Sequence, residues 1–185
     1  MKIIGYAIIL IIAGIGTWSI ATYNRLIKLK NLCQEAWSGI DVQLKRRANL
    51  IPNLLETVKG YMKHERELFE KVTSARAMAL GASSIDERQG AETLLSSGLR
   101  GLFAVAENYP ELKANENFLR LQQELSSIED QIQLARRYYN GTVRDLNTAI
   151  EMFPSSIIAG MFGFTKKPFF ELEDRSQRSV PKVSF

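Results

Sequence analysis

Residues 115 to 153 read NENFLRLQQELSSIEDQIQLARRYYNGTVRDLNTAIEMF. Within them Phe118, Leu121, Leu125, Ile128, Ile132, Ala135, Tyr139, Val143, Leu146, Ile150 and Phe153 recur at steps of three and four, ten steps covering 35 residues, a mean of 3.5. That period is one face of an α-helix, regular enough for coiled-coil-like packing. At 1.5 Å per residue the face extends over roughly 50 Å. Asn115 is placed to cap its first turn. Such a face cannot be left in water, so it must pack on other helices of the chain or on other copies of it.

Working toward the amino terminus, Leu26, Leu29, Cys33, Trp37, Ile40, Leu44, Ala48 and Ile51 repeat the same spacing. Pro52 then removes a backbone donor and disfavours helix at Ile51, which predicts a kink or short break at Leu50 to Pro52. A second phase follows in Leu54, Val58, Tyr61, Glu65, Leu68, Val72, Ala75 and Ala79, with Glu65 as its one charge. After Gly81 to Ser84 the run Ser84-Ile85-Asp86-Glu87 has the form of a capping box and predicts a third helix. Its stripe is Leu95, Leu99, Leu102, Ala106 and Tyr109. Gly90, Gly98 and Gly101 each weaken it by about 1 kcal/mol relative to alanine. Tyr109-Pro110 ends it, and no strand signal of comparable strength occurs. The fold class is therefore all-α, a long-helix antiparallel bundle of three to four helices.

Ahead of the bundle, Ile3 to Ala21 reads IIGYAIILIIAGIGTWSIA, without a charge. As a helix it spans about 28 Å, against a bilayer core of roughly 30 Å. Trp18 and Tyr23 stand where the segment would leave the lipid, and Arg25, Lys28 and Lys30 follow. These features predict a retained single-pass anchor. The competing reading is a cleaved secretory signal, since Lys2 supplies a basic start and Ser19-Ile20-Ala21 a small-x-small site. Three basic residues after the segment against Lys2 before it favour a cytoplasmic body slightly, whereas the pattern of an uncleaved signal anchor would send it outward. The expected organisation is an anchor over 1–22, the bundle over 23–156, an apolar segment over 157–170 and a flexible tail over 171–185.

The chain has 185 residues with a net charge of +4, enough for one domain plus an anchor and too little basic excess for a nucleic-acid binder. Cys33 and His64 are the single cysteine and histidine, which excludes an intrachain disulfide and any cysteine cluster or histidine pair for a metal. His64-Glu65 could pair as base and orienter, but no nucleophile turn accompanies them, and the residue three before His64 is Tyr61 rather than the glutamate of a di-iron helix. No phosphate-cradling glycine loop occurs. No catalytic residue, cofactor, metal or small-molecule substrate is expected.

Two stretches are candidates for contact. Trp37, Asp41, Lys45, Arg46 and Arg47 would form an interaction face, with Pro52 as a structural kink; a solvated surface is the default for so short a basic run. Ile157, Ile158, Met161, Phe162, Phe164, Phe169 and Phe170, hemmed by Lys166 and Lys167, would touch lipid, or else form a lid on the open end of the bundle.

Several runs carry a resemblance. Glu35-Ala36-Trp37-Ser38-Gly39-Ile40-Asp41-Val42-Gln43-Leu44-Lys45-Arg46-Arg47, Leu50-Ile51-Pro52-Asn53-Leu54 and Glu56-Thr57-Val58-Lys59-Gly60-Tyr61 are similar to the signature of the LemA family. So are His64-Glu65, Ala104 to Asn115, Ala135-Arg136, Tyr139-Asn140 and Phe153-Pro154-Ser155. The similarity runs from about Tyr23 to Phe170; Ser83 to Gly101 matches no motif, so the third helix rests on periodicity alone. It implies a membrane-anchored antiparallel helical bundle of bacteria, without accepted catalytic residues and placed in the cell membrane. The expected function is a non-enzymatic scaffold, as a homo-oligomer or with membrane-protein partners and without nucleic acid. The alternatives are an adaptor or regulator of a membrane protease or signalling protein, and a lipid-binding membrane-remodelling coat.

Overall fold

A computed structural model of the chain describes residues 2–171. The expected tail beyond Glu171 lies outside the described residues. Six helices follow in order: α1 (Lys2–Lys59), α2 (Arg66–Gly81), α3 (Ile85–Ala106), α4 (Pro110–Lys113), α5 (Glu116–Glu151) and α6 (Ser155–Met161). Among the described residues there is no strand, so the all-α expectation holds.

Of the kink or short break that the sequence predicts at Leu50 to Pro52, α1 shows no break. It continues through Pro52 to Lys59. Proline has no N–H for the carbonyl of Ala48, four residues earlier, and an orphaned buried acceptor costs free energy. Arg76 of α2 supplies the missing donor, its Nε lying 2.7 Å from the Ala48 oxygen. The interruption falls instead between Lys59 and Arg66, so the stripe from Leu54 to Ala79 belongs to two helices. Tyr61 and Met62 both donate to the Val58 carbonyl there, closing the end of α1 and turning Met62 into the core.

Both predicted helix starts are present. Ser84 caps α3, its Oγ accepting from the Glu87 N–H at 3.2 Å, while Glu87 accepts from the N–H and hydroxyl of Ser83. Asn115 caps α5, its Oδ1 accepting from the Phe118 N–H at 3.0 Å.

The helices divide into two compact units. One comprises Ile40–Arg136 with Phe170 and Glu171. Its core joins Ile51, Leu54 and Val58 of α1, Val72 and Ala79 of α2, Leu95 and Leu102 of α3, and Phe118 and Leu121 of α5. Gly98 has a packing reason here: a Cβ on it would lie 3.1 Å from Val72 Cγ2, so α2 and α3 meet closely at this position.

The other unit is Lys2–Gly39 with Arg137–Phe169. Trp37 meets Tyr139 with ring centroids 5.4 Å apart, while Leu26 shares a core with Ala149, so the two helices run antiparallel here. The chain reverses after α5 through a cis Phe153–Pro154 peptide into α6, which adds Ile158 and Ala159 to that core. The extended chain beyond it lies along α5, held by Lys166 on Glu151 at 2.7 Å and by Asn147, which donates to the Lys167 carbonyl and accepts from its N–H, both at 2.9 Å. Tyr139 then donates to the Pro168 carbonyl at 3.0 Å. In this unit the first part of α1 is uncovered: the apolar side chains from Ile3 to Ile20 are exposed, and the helix is long and apolar enough to cross a membrane.

Candidate functional site

The basic run on α1 does not form one surface. Arg47 follows the core residue Leu44 by three positions and precedes Ile51 by four, so the helical period turns it inward. It is 1% exposed, which removes it from the expected interaction face. Nη2 donates to Oε2 of Glu92 on α3. Nη1 donates to Glu129 Oε2 on α5 at 2.7 Å and to Ser96 Oγ at 3.1 Å.

The pairing extends along α1 and α3. Arg88 Nη2 donates to Asp41 Oδ1 at 2.9 Å, and its Nη1 lies 3.8 Å from Glu92 Oε1. Lys45 holds the other Asp41 oxygen at 2.7 Å. On α5, Gln133 Nε2 donates to Glu129 Oε1 at 3.2 Å, and Arg136 donates to Gln133 in turn. Every carboxylate oxygen of Asp41, Glu92 and Glu129 thus faces a cation or an amide donor. Arg47 Nε has no hydrogen-bond partner among the described residues.

Burial pushes the Glu92 carboxyl above the usual carboxylate range; the Arg47 and then the Arg88 charge oppose the shift, and Glu129 adds to it. Buried ion pairs of this kind contribute little net stability, but removing one partner is costly because the other is left uncompensated. The charges of the cluster are mutually paired. Its carboxylates are occupied by Arg47, Arg88, Lys45 and Gln133. What it can do is fix the axial position of α1 against α3 and α5, since a slip of one turn would strand three buried charges.

The other sequence candidates are scattered. Lys45 and Arg46 are exposed, Arg46 lying 3.8 Å from Glu124. Asp41 is bound within the cluster, and Trp37 is half-buried against Tyr139. Burial, and then the Cys33 thiol, push the Tyr139 phenol up to about 12, so it remains a donor to Pro168 at any physiological pH. His64 is exposed in the connection before α2. Glu65 beside it accepts from the Tyr109 hydroxyl at 3.4 Å, a contact that joins two chain turns and holds no reacting group.

The apolar segment 157–170 also divides. Ile158 and Phe170 are buried, and Phe164 is half-buried with its ring 5.9 Å from that of Tyr23. These three cannot form a lipid-facing surface. Ile157, Met161 and Phe162 are exposed, as are Met152 and Phe153 at the end of α5, Phe153 to 80%. Phe162 packs a ring against Tyr23 at 4.7 Å. Met152 and Phe153 line one groove together with Trp18, Thr22 and Arg25 of α1. Phe169 is exposed, but its neighbour Pro168 is tied to Tyr139, at the other end of the unit.

Glu92, Arg88 and Glu129 were not singled out by sequence reasoning, yet a signal existed. Arg88 and Glu92 continue the Leu95, Leu99, Leu102 stripe backward at steps of four and three, opposite charges on an apolar face. Glu129 follows Leu125 by four and precedes Ile132 by three.

Comparison with known proteins supplies a relationship. The model of the LemA family matches residues 36–185. Protein LemA of Metamycoplasma hominis is 31% identical over 140 residues, covering 74% of this chain and 63% of that protein. Magnetosome protein MamQ of Magnetospirillum gryphiswaldense is 24% identical over 174 residues, 80% of this chain and 64% of the relative. Magnetosome protein MamQ 2 of Paramagnetospirillum magneticum is 22% identical over 175 residues, with the same coverage. The chain therefore spans just under two thirds of the length of these relatives.

Proposed function

The chain belongs to the LemA family, and on that premise we propose that it is a non-enzymatic helical scaffold, held in the bacterial cell membrane by α1 as a single span, which self-associates or organises partner proteins there. The observation that carries this is the uncovered apolar run from Ile3 to Ile20. An apolar surface of that length is not stable in water, and lipid is the solvent that matches it. Arg25, Lys28 and Lys30 after the run, against Lys2 before it, slightly favour a cytoplasmic body.

The charge chemistry of the body supports holding rather than transforming. The carboxylates of Asp41, Glu92 and Glu129 pair with the guanidinium groups of Arg47 and Arg88. Among the described residues no group of three or more His, Cys, Asp or Glu side chains is arranged to hold a metal ion. The test is the mass of the native assembly of the full chain extracted in mild detergent, together with whatever co-elutes. A discrete homo-oligomer supports self-association, and a stoichiometric second protein supports the organisation of a partner. A monomer without a specific partner would overturn the scaffold.

A further inference from the structure

Resting on the reading that α1 spans a bilayer, we propose that the turn formed by the end of α5 together with α6 is a second membrane contact. In it Met152, Phe153, Ile157, Met161 and Phe162 sit in the headgroup–acyl boundary, beside the point where α1 leaves the lipid.

The first support is composition. The five side chains are between 52% and 80% exposed, and all are large and apolar. Scattered exposed apolar residues need no explanation, but a contiguous set of two phenylalanines, two methionines and an isoleucine at one turn marks an interaction surface.

The second support is place. Phe153 lines one groove with Trp18 and Arg25, and Phe162 packs its ring at a tilt against Tyr23, so the turn stands at the level of α1 where the uncharged run ends. Trp18 and Arg25 are seven residues apart, about 10 Å along a helix, which is the depth to which interfacial apolar groups enter, roughly 5–10 Å. The exposed apolar surface of α1 therefore continues into the turn. A second copy covering the turn would itself have to occupy the lipid boundary, so lipid is the occupant the geometry selects. Arg25 at the groove and exposed Lys166 and Lys167 beyond it would meet anionic headgroups, although Lys166 also pairs with Glu151.

The third support is what the same geometry excludes. Ile158 faces the core. Phe169 follows Pro168, which is held by Tyr139, thirteen residues before Met152 on α5 and so about 20 Å from the turn. The contact is thus the turn, not the whole apolar segment.

The test uses the full chain in vesicles of phosphatidylcholine and phosphatidylglycerol, in a C33A background carrying F153C, M161C, F169C or, as the anchor control, I12C, each labelled with a small fluorophore. The expected result is that labels at 153 and 161 are quenched several-fold more strongly by lipid-attached doxyl groups than by aqueous iodide, with the reverse order at 169. Quenching at 153 and 161 by iodide alone, with I12C still quenched from the lipid, overturns the contact and leaves the anchor standing. Resistance to both quenchers means protein covers the turn and also overturns it. I12C quenched by iodide removes the anchor, and the contact with it. Because Cys33 is buried, a second measurement avoids the substitutions. Aqueous hydroxyl-radical footprinting of the wild-type chain in the same vesicles should modify Met78, which is exposed on α2, and spare Met152 and Met161. Equal modification of all three overturns the contact.

Discussion

Arg76 completes a helix to which it does not belong: its Nε donates to the Ala48 carbonyl at 2.7 Å, the acceptor that the ring of Pro52 leaves empty. The donor comes from α2 and the vacancy from α1, so the continuity of α1 past Pro52 depends on a tertiary contact.

Removing that donor while the proline remains should be costly. Arg76→Met is expected to destabilise the fold by about 1–3 kcal/mol, the usual penalty for stranding a buried carbonyl. In a Pro52→Ala background the alanine N–H fills the same acceptor, and Arg76→Met should cost measurably less. Urea unfolding of the four members of this cycle checks it, and strict additivity would refute the coupling.

Arg47 is the second test. Arg47→Ala leaves Glu92 buried opposite no guanidinium and should cost about 3–5 kcal/mol. Replacing both partners by apolar residues of similar volume, R47M with E92M, should recover a large part of that loss, since the pair contributes through mutual compensation more than through net attraction. The readout is thermal or urea unfolding of the single and double variants.

The pH dependence follows from the direction of the Glu92 shift. Its folded pKa is raised, chiefly by burial, so between the ordinary carboxylate value and the folded value the unfolded chain has released a proton that the folded chain retains. Stability from this group is complete below the unfolded pKa and is lost as pH rises through the folded one. The stability of the wild type relative to Glu92→Gln should therefore fall as pH rises from the usual carboxylate range. A rise would mean that the charge of Arg47 outweighs desolvation.

Two glycines of α3 should respond in opposite senses. Gly90 has nothing within 4 Å of an added Cβ, so Gly90→Ala should stabilise by about 0.5–1 kcal/mol. Gly98 faces Val72 Cγ2 at 3.1 Å, and Gly98→Leu should destabilise by about 1–3 kcal/mol through overpacking. Chemical unfolding of both variants distinguishes these effects from a shared gain in helix propensity.

Much of this architecture was legible because its signals are local. Ser84 and Asn115 mark the starts of α3 and α5 within one turn of where they act, and the stripe of α5 follows from spacing alone. What was not legible depends on partners far away in the chain. Of the kink or short break expected at Leu50 to Pro52, no break occurs: Arg76, 28 residues from Ala48, restores the lost hydrogen bond, and the helix is interrupted only at Gly60–Glu65. Lys45, Arg46 and Arg47 read as one basic patch, but successive helical residues point about 100° apart. Only Arg47 reaches the acids of α3 and α5, 45 and 82 positions later.

The clasp of Asn147 on Lys167 makes that region a gauge of opening by proteolysis. Lys166 is an exposed cleavage point for a trypsin-like protease, Pro168 blocking the bond after Lys167, but such enzymes bind a substrate strand through its main-chain groups, and both the N–H and the C=O of Lys167 are already occupied by Asn147. Cutting there requires the segment to lift off α5. The cleavage rate, when slow relative to reclosing, measures how often it does so, and Asn147→Ala should raise that rate without altering the sites at which the protease cuts.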